Sequence, residues 1–249
     1  MRQGAARRFL VGNWKMHGLR ADMACAQEID RCAAELPQVS IGLAPPVTLL
    51  LPLAERLRHV RVGGQACHAM DDGAYTGGIS ARMLTDGGGD FVILGHSEQR
   101  AQHCYGDEQV RAQALAAQAA GLDVILCVGE GAGEREAGRA LPVVVGQVLQ
   151  GCPNDAGSLL IAYEPVWAIG SGDVPAGAQI EEMHGAIRCC LKERFGEAGR
   201  AVPILYGGSV SESNAAQLLG LTAVDGLLVG AASLSPVRFC AIARAAAYA

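Results

Sequence analysis

Three residues far apart in the chain carry the chemistry of a proton-transfer site. Glu164 closes the apolar run Leu159-Leu160-Ile161-Ala162-Tyr163 and stands directly before Pro165. Proline biases the preceding residue towards extended geometry, so Glu164 is expected where a strand gives way to its loop. His96 follows a second apolar run, Phe91-Val92-Ile93-Leu94, across Gly95. An imidazole there, with Ser97 as a candidate helix cap beside it, serves as a neutral donor, as an acid–base group, or only as packing. Lys15 follows Phe9-Leu10-Val11 and the break at Gly12-Asn13-Trp14. A lysine at such a place needs an anionic partner, for which Glu98 and an anionic ligand are the candidates. A carboxylate, an imidazole and an ammonium together suit proton abstraction next to a carbonyl. Glu164 would be the base, and His96 and Lys15 would stabilise the oxygens of the enediolate.

A phosphate cradle is readable beside them. Tyr206-Gly207-Gly208-Ser209 and Gly230-Ala231-Ala232-Ser233 each follow a short apolar run, and Gly170-Ser171 lies in the segment after Glu164. Small residues after successive strands let backbone N–H groups approach an anion. No G-x-x-x-x-G-K stretch and no G-x-G-x-x-G after a strand occurs, which argues against a nucleotide. With no metal-ligand set and no cofactor motif, the expected ligand is a small phosphorylated sugar acted on without metal or cofactor.

These residues have to be positioned by elements that repeat. Apolar runs read as strands at 9–11, 40–44, 61–65, 91–94, 124–128, 159–161, 204–206 and 226–229. Between them, helices are expected at 20–36, 49–57, 81–84, 107–120, 142–150, 179–195 and 212–219, with an Ala-rich helix at the C-terminus. The strands are continuous in apolar residues and do not alternate, as expected when both faces of a parallel sheet are covered. Roughly eight strand–helix units over this length predict a closed parallel (β/α)8 barrel occupying 1–249. Residues 1–8 are read as an N-terminal extension, and a doubly wound open sheet is the alternative. In either architecture functional groups gather at the C-terminal ends of the strands. Asn13, Lys15, Gln65, His96, Glu98, Glu164 and Ser209 all follow strands, so one rim should collect them.

Composition narrows the partners. A formal net charge of −5 opposes nucleic acid as a main partner. Nine cysteines form no C-x-x-C pair, which favours a reducing cytoplasm over a disulfide framework or a zinc knuckle. No apolar stretch is long enough to span a bilayer, and no signal peptide is read.

Gly12-Asn13-Trp14-Lys15-Met16, Ile93-Leu94-Gly95-His96-Ser97-Glu98, Ala162-Tyr163-Glu164-Pro165-Val166-Trp167-Ala168-Ile169-Gly170, Tyr206-Gly207-Gly208-Ser209 and Leu228-Val229-Gly230 occur in this order. From Phe9 to the C-terminus the chain resembles the triosephosphate isomerase family. The resemblance implies a homodimer that interconverts dihydroxyacetone phosphate and glyceraldehyde 3-phosphate without a cofactor. It implies Glu164 as base, His96 as electrophile and Lys15 as charged binder, with Asn13 and Glu98 in support and Tyr206 behind the loop 165–175 that closes over the site. Gly170, Ser209, Gly230 and Ala231 would offer N–H groups to the phosphate. Thr76 resembles the residue that reaches into the neighbouring subunit's site.

Departures from the family pattern accompany the match. Ala231 stands where a second glycine is usual, and its methyl group needs suitable backbone angles. Asp173-Val174-Pro175 replaces Lys-Thr-Ala after the closing loop, and Pro175 has no N–H to give Tyr206. Thr76-Gly77-Gly78, Gln99 and the 103–107 stretch lack charges common in the family, so the expected dimer has fewer ion pairs. These departures keep two other readings open: an isomerase for a four-carbon tetrulose phosphate, and a barrel that binds a phosphorylated ligand without turnover.

Overall fold

The structure is a computed structural model that describes residues 8–169 and 174–249. Its strands are β1 (Arg8–Asn13), β2 (Val39–Ala44), β3 (Arg61–Gly64), β4 (Phe91–Leu94), β5 (Asp123–Val128), β6 (Leu159–Tyr163), β7 (Ile204–Tyr206) and β8 (Gly226–Val229). Each pairs in parallel with the next, and β8 returns to β1 to close the barrel. The eightfold strand–helix alternation thus folds as the closed barrel and not as the open sheet.

Burial shows why these runs become strands. Val11, Ile93, Ile125, Cys127, Leu160, Ala162, Leu205 and Leu228 fill the barrel interior. Their neighbours Leu10, Val92, Leu94, Val124, Leu126, Ile161, Ile204 and Leu227 face outward into a second apolar layer under the helices. Successive strand residues point to opposite faces, so both faces are apolar and no alternation is visible in sequence. Two glycines have a specific task in this interior. A Cβ on Gly63 would stand 2.5 Å from the Phe91 ring, and one on Gly42 would stand 2.9 Å from it. The ring occupies the space that those strands leave.

The helices that cover the outer layer include α1 (Met23–Ala34), α2 (Val47–Ala54), α3 (Ala81–Asp86), α5 (Asp107–Ala119), α7 (Ala140–Gly151), α8 (Gly177–Phe195), α10 (Ala215–Leu219) and α11 (Pro236–Tyr248). The helix expected from residue 20 begins instead as a 3-10 turn, Arg20–Asp22, before α1. The helix expected from residue 212 is only α10, because Ser211 N–H bonds to Asn214 Oδ1 and keeps that stretch as a turn. Three short helices lie outside the sequence reading: α4 (Ser97–His103), α6 (Ala132–Glu136) and α9 (Glu197–Arg200). Neither α4 nor α6 buries a residue, so neither leaves an apolar stripe in the sequence. Arg8, read as part of an extension, is the first residue of β1. Among the described residues no helix is long and apolar enough to cross a membrane.

Candidate active site at the barrel mouth

At the C-terminal ends of the strands a cavity of about 430 Å³ opens, lined by Asn13, Lys15, His96, Glu164, Ser209 and Gly230 among others. Of the rim residues named from sequence, Asn13, Lys15, His96, Glu164 and Ser209 therefore line one cavity, and Gln65 does not. Glu98 does not line the cavity but holds Lys15, its Oε1 accepting from Lys15 Nζ at 2.7 Å. Thr76 is exposed on the loop after β3 and does not line it. Gly170 and Ser171 lie outside the described residues.

Lys15 sits on strained backbone. Its φ of 53° is left-handed, a conformation uncommon for a residue with a side chain. Two side chains hold it there. Asn13 Oδ1 accepts the Lys15 N–H at 3.0 Å, and Gln65 Nε2 donates to the Lys15 carbonyl at 2.8 Å. The same Gln65 nitrogen also donates to Ala44 O at 2.8 Å, which ties the turn to β2. The strain is thus offset by hydrogen bonds from two strand ends, and the ammonium is aimed at the mouth.

His96 shows its tautomer through its neighbours. It, and not Ser97, caps α4: its Nδ1 accepts the Glu98 N–H at 3.2 Å. A nitrogen that accepts from an amide carries no proton, so the proton of the neutral ring is on Nε2. Nε2 lies 3.3 Å from Glu164 Oε1. The expectation of a Ser97 cap fails because the imidazole reaches the same N–H one residue earlier.

Glu164 is 2 % exposed. Its Oε2 accepts only a long bond from Ser97 N–H, at 3.4 Å. The Cys127 thiol from inside the barrel is its third neighbour. Burial pushes that thiol well above its usual range, and the Glu164 carboxylate adds to the shift, so Cys127 stays protonated beside the acid. Two glycines make room for this residue. A Cβ on Gly129 would fall 1.7 Å from the Glu164 carbonyl oxygen, and one on Gly207 would fall 3.0 Å from Glu164 Cγ. Gly207 N–H bonds Tyr163 O at 2.8 Å, which brings the turn after β7 against the base.

The turn after β8 approaches the lysine in the same way. A Cβ on Gly230 would stand 3.8 Å from Lys15 Cε. Ser233 N–H and Oγ both donate to Gly230 O, at 2.8 and 2.7 Å. Trp14 Nε1 donates to Ser233 O at 3.2 Å. Ala231 begins a 3-10 turn and is not among the residues with positive φ, so its backbone accepts a methyl group where glycine is the family habit. Ser209 Oγ donates to Ala168 O at 2.7 Å and joins the turn after β7 to the segment after Glu164.

Three participants escaped the sequence reading. Glu130 is fully buried, and its Oε1 receives Arg135 Nε at 2.8 Å, Trp167 Nε1 at 3.0 Å and Tyr163 OH at 3.2 Å. It anchors the start of the loop that follows Glu164. Its position just past β5 was the available signal. Cys127 reads in sequence as one more strand residue. Arg238 also lines the cavity, although it lies on α11 and follows no strand. The Tyr206 hydroxyl is buried without a partner among the described residues, and the buried Pro175 has no N–H to offer it.

Barrels with a buried acid, a donor imidazole and a cation over glycine turns at this end form the class of (β/α)8 enzymes that act at the C-terminal mouth. Within that class the family model described as triosephosphate isomerase matches residues 8–246. The triosephosphate isomerase of Ruegeria sp. (strain TM1040) is 49 % identical over 238 residues, covering 94 % of this chain and 96 % of its own. That of Afipia carboxidovorans is 48 % identical over 248 residues, with 97 % and 98 % covered. A crystal structure of triosephosphate isomerase from Bartonella henselae superposes with a TM-score of 0.91 at 38 % identity, covering 96 % of this chain and 98 % of its own. The chain belongs to the triosephosphate isomerase family, a family of isomerases.

Proposed function

We propose that this chain interconverts dihydroxyacetone phosphate and glyceraldehyde 3-phosphate with the residues just described. Glu164 takes a proton from the carbon next to the carbonyl, and the electron pair moves onto the carbonyl oxygen. The His96 Nε2–H donates to that oxygen, and the Lys15 ammonium offsets its charge. Transfer of the first carbon's hydroxyl proton to the former carbonyl oxygen by way of His96, and return of the carbon-bound proton from Glu164 to the adjacent carbon, complete the isomerisation. Ser209, Gly230 and Ala231, with Gly170 by resemblance, offer backbone N–H groups to the phosphate, and Asn13 and Glu98 keep Lys15 in place. The segment 165–175 closes over bound substrate and keeps water from the enediolate.

One observation carries the reading. A carboxylate removed from water has only long hydrogen bonds and faces the protonated nitrogen of a neutral imidazole. Such an acid is poorly served by the protein alone and is better used on a substrate. A coupled assay on glyceraldehyde 3-phosphate tests this, with Glu164→Gln as the control. Turnover in the parent chain and a loss of about 10²- to 10⁴-fold in the variant are expected. A parent chain without turnover, or a variant with equal turnover, ends the reading.

The working form we propose is a homodimer in the cytoplasm. Met16 and Leu19 after β1, Met70 and Tyr75 after β3, and Met83 on α3 are all exposed, a grouping of large apolar side chains that a second copy would cover. Thr76 lies in the same loop as Tyr75, where it would reach the partner's mouth. The nine cysteines are all free, as suits a reducing compartment. Light scattering at micromolar concentration should give twice the chain mass, and a stable monomer defeats the proposal.

A further inference from the structure

The mouth has an electrostatic problem that its central residues do not solve. A phosphorylated substrate arrives as an anion at a protein whose formal net charge is −5. Lys15 is the cation at the centre, but Glu98 pairs with it at 2.7 Å, and Glu164 is a second carboxylate beside it. Two acids thus surround one base. Interaction at a distance does not favour entry of an anion here, so a further local cation is needed to draw it in.

Arg238 meets that need. It sits in the first turn of α11 and lines the same cavity as Ser209, Gly230 and Lys15, on the side of the phosphate turns. Its Nε donates to Glu212 Oε1 at 3.1 Å and to Oε2 at 3.0 Å. Nη1 and Nη2 have no protein partner among the described residues, so one end of the guanidinium is committed and the other is open. Both side chains are near half exposure, at 45 % and 43 %. A pair so exposed contributes little to stability and is readily exchanged for another anion. Guanidinium is also the side-chain group best shaped to take two phosphate oxygens at once.

We infer that Arg238 is an anion-capturing residue of this mouth, paired through Nε with Glu212 and presenting its free guanidinium edge to the substrate's phosphate. It acts on capture and not on the proton transfer. This rests on the reading of the site as one for a phosphorylated sugar, and it adds a binding group beyond the backbone turns and Lys15. Because the pair is solvent-exposed, its influence is carried through water and depends on ionic strength.

Three variants separate this from a structural role: Arg238→Ala, Arg238→Lys and Glu212→Gln. Two readouts are needed, kcat/KM for glyceraldehyde 3-phosphate and the affinity for inorganic phosphate followed by thermal shift. At an ionic strength of about 10 mM, Arg238→Ala should lower kcat/KM and weaken phosphate by about three- to tenfold, with kcat within about twofold. At about 1 M salt, where charges are screened beyond ~3 Å, the difference should close. Arg238→Lys should keep most of the salt dependence. Glu212→Gln should move both readouts the other way, by about two- to threefold, because it frees the arginine and removes a repelling charge. An Arg238→Ala protein with unchanged phosphate affinity and unchanged salt dependence overturns the inference. So does a Glu212→Gln protein that loses affinity as Arg238→Ala does, since that is the sign of a shared structural role. A parent chain that binds phosphate with the stated dependence on Arg238 but turns over no triose phosphate supports the inference and defeats the reading of the reaction.

Discussion

The two ends of the barrel use the same residue types for opposite purposes. At the N-terminal ends of the strands, carboxylates are fully engaged with the chain. Asp225 Oδ2 accepts from Ile204 N at 2.8 Å and from Arg188 at 2.6 Å. Asp90 Oδ2 accepts from Val62 N at 2.9 Å. Asp30 Oδ1 takes the N–H groups of Arg58, His59 and Val60 at 3.0, 2.8 and 2.9 Å, and Asp123 pairs with Arg61 at 2.8 Å. At the opposite end Glu164 is almost wholly buried yet has contacts of 3.3 and 3.4 Å. Burying an anion without close partners costs stability. The lower carboxylates stitch strand starts to their neighbours, and the upper one is left for the substrate. This is the division between stability and activity expected of such barrels.

The sharpest way to break that comparison is to remove one acid from each end. The Glu164→Gln protein described above should lose about 10²- to 10⁴-fold in kcat and unfold no more easily than the parent. Asp225→Ala should do the reverse. It strips the partner from Arg188 and from the Ile204 N–H, at a cost of about 2–3 kcal/mol in urea denaturation, while kcat stays within about twofold. If Asp225→Ala lowers kcat as far as it lowers stability, the two ends are not independent and the contrast is lost.

Much of the upper end was legible because its signals are local. Glu164 before Pro165 announces a strand end in two residues, and His96 after Gly95 does the same. Unbroken apolar runs gave the strands, since two buried faces remove the alternation. What could not be read depended on partners distant in sequence. Gln65 was placed on the rim, but its grip on the Lys15 carbonyl spans 50 positions. Glu130 gathers Tyr163 and Trp167 from more than 30 positions away. Ser97 is a candidate cap on residue type, and only the geometry shows the imidazole of His96 in that role at the start of α4. Arg238 sits on a helix, away from the strand ends that mark the rim. The lower aspartates were equally silent, since Asp225 reads as one polar residue before a strand.

The same contrast extends to the histidines, with a smaller and pH-dependent effect. His96 turns its Nε2 proton to Glu164, whereas His184 on α8 is packed against the barrel wall, edge-on to Tyr163 at 5.8 Å. Its Nδ1 lies 2.9 Å from Ala223 O, so that nitrogen carries the proton, and Nε2 is buried without a partner. Burial holds the imidazole at about 4 against an ordinary 6.5, despite the opposing pull of the Ala223 carbonyl and Asp225. Arg188 acts in the same direction as burial. The unfolded chain therefore binds a proton near pH 6.5 that the folded chain refuses until about 4. The stability of the neutral form is complete above pH 6.5 and declines as pH falls through that window, by about 3 kcal/mol at its lower limit. His184→Asn keeps an N–H donor for Ala223 O and cannot titrate. Urea midpoints measured from pH 7.5 to 4.5 should fall more steeply for the parent than for His184→Asn, with equal kcat at pH 7.5. Carboxylates that titrate in the same range affect both proteins alike, so parallel curves would mean that His184 is protonated in the folded chain as readily as in the unfolded one. That result would remove the case for a buried neutral imidazole and leave His96 without its structural counterpart.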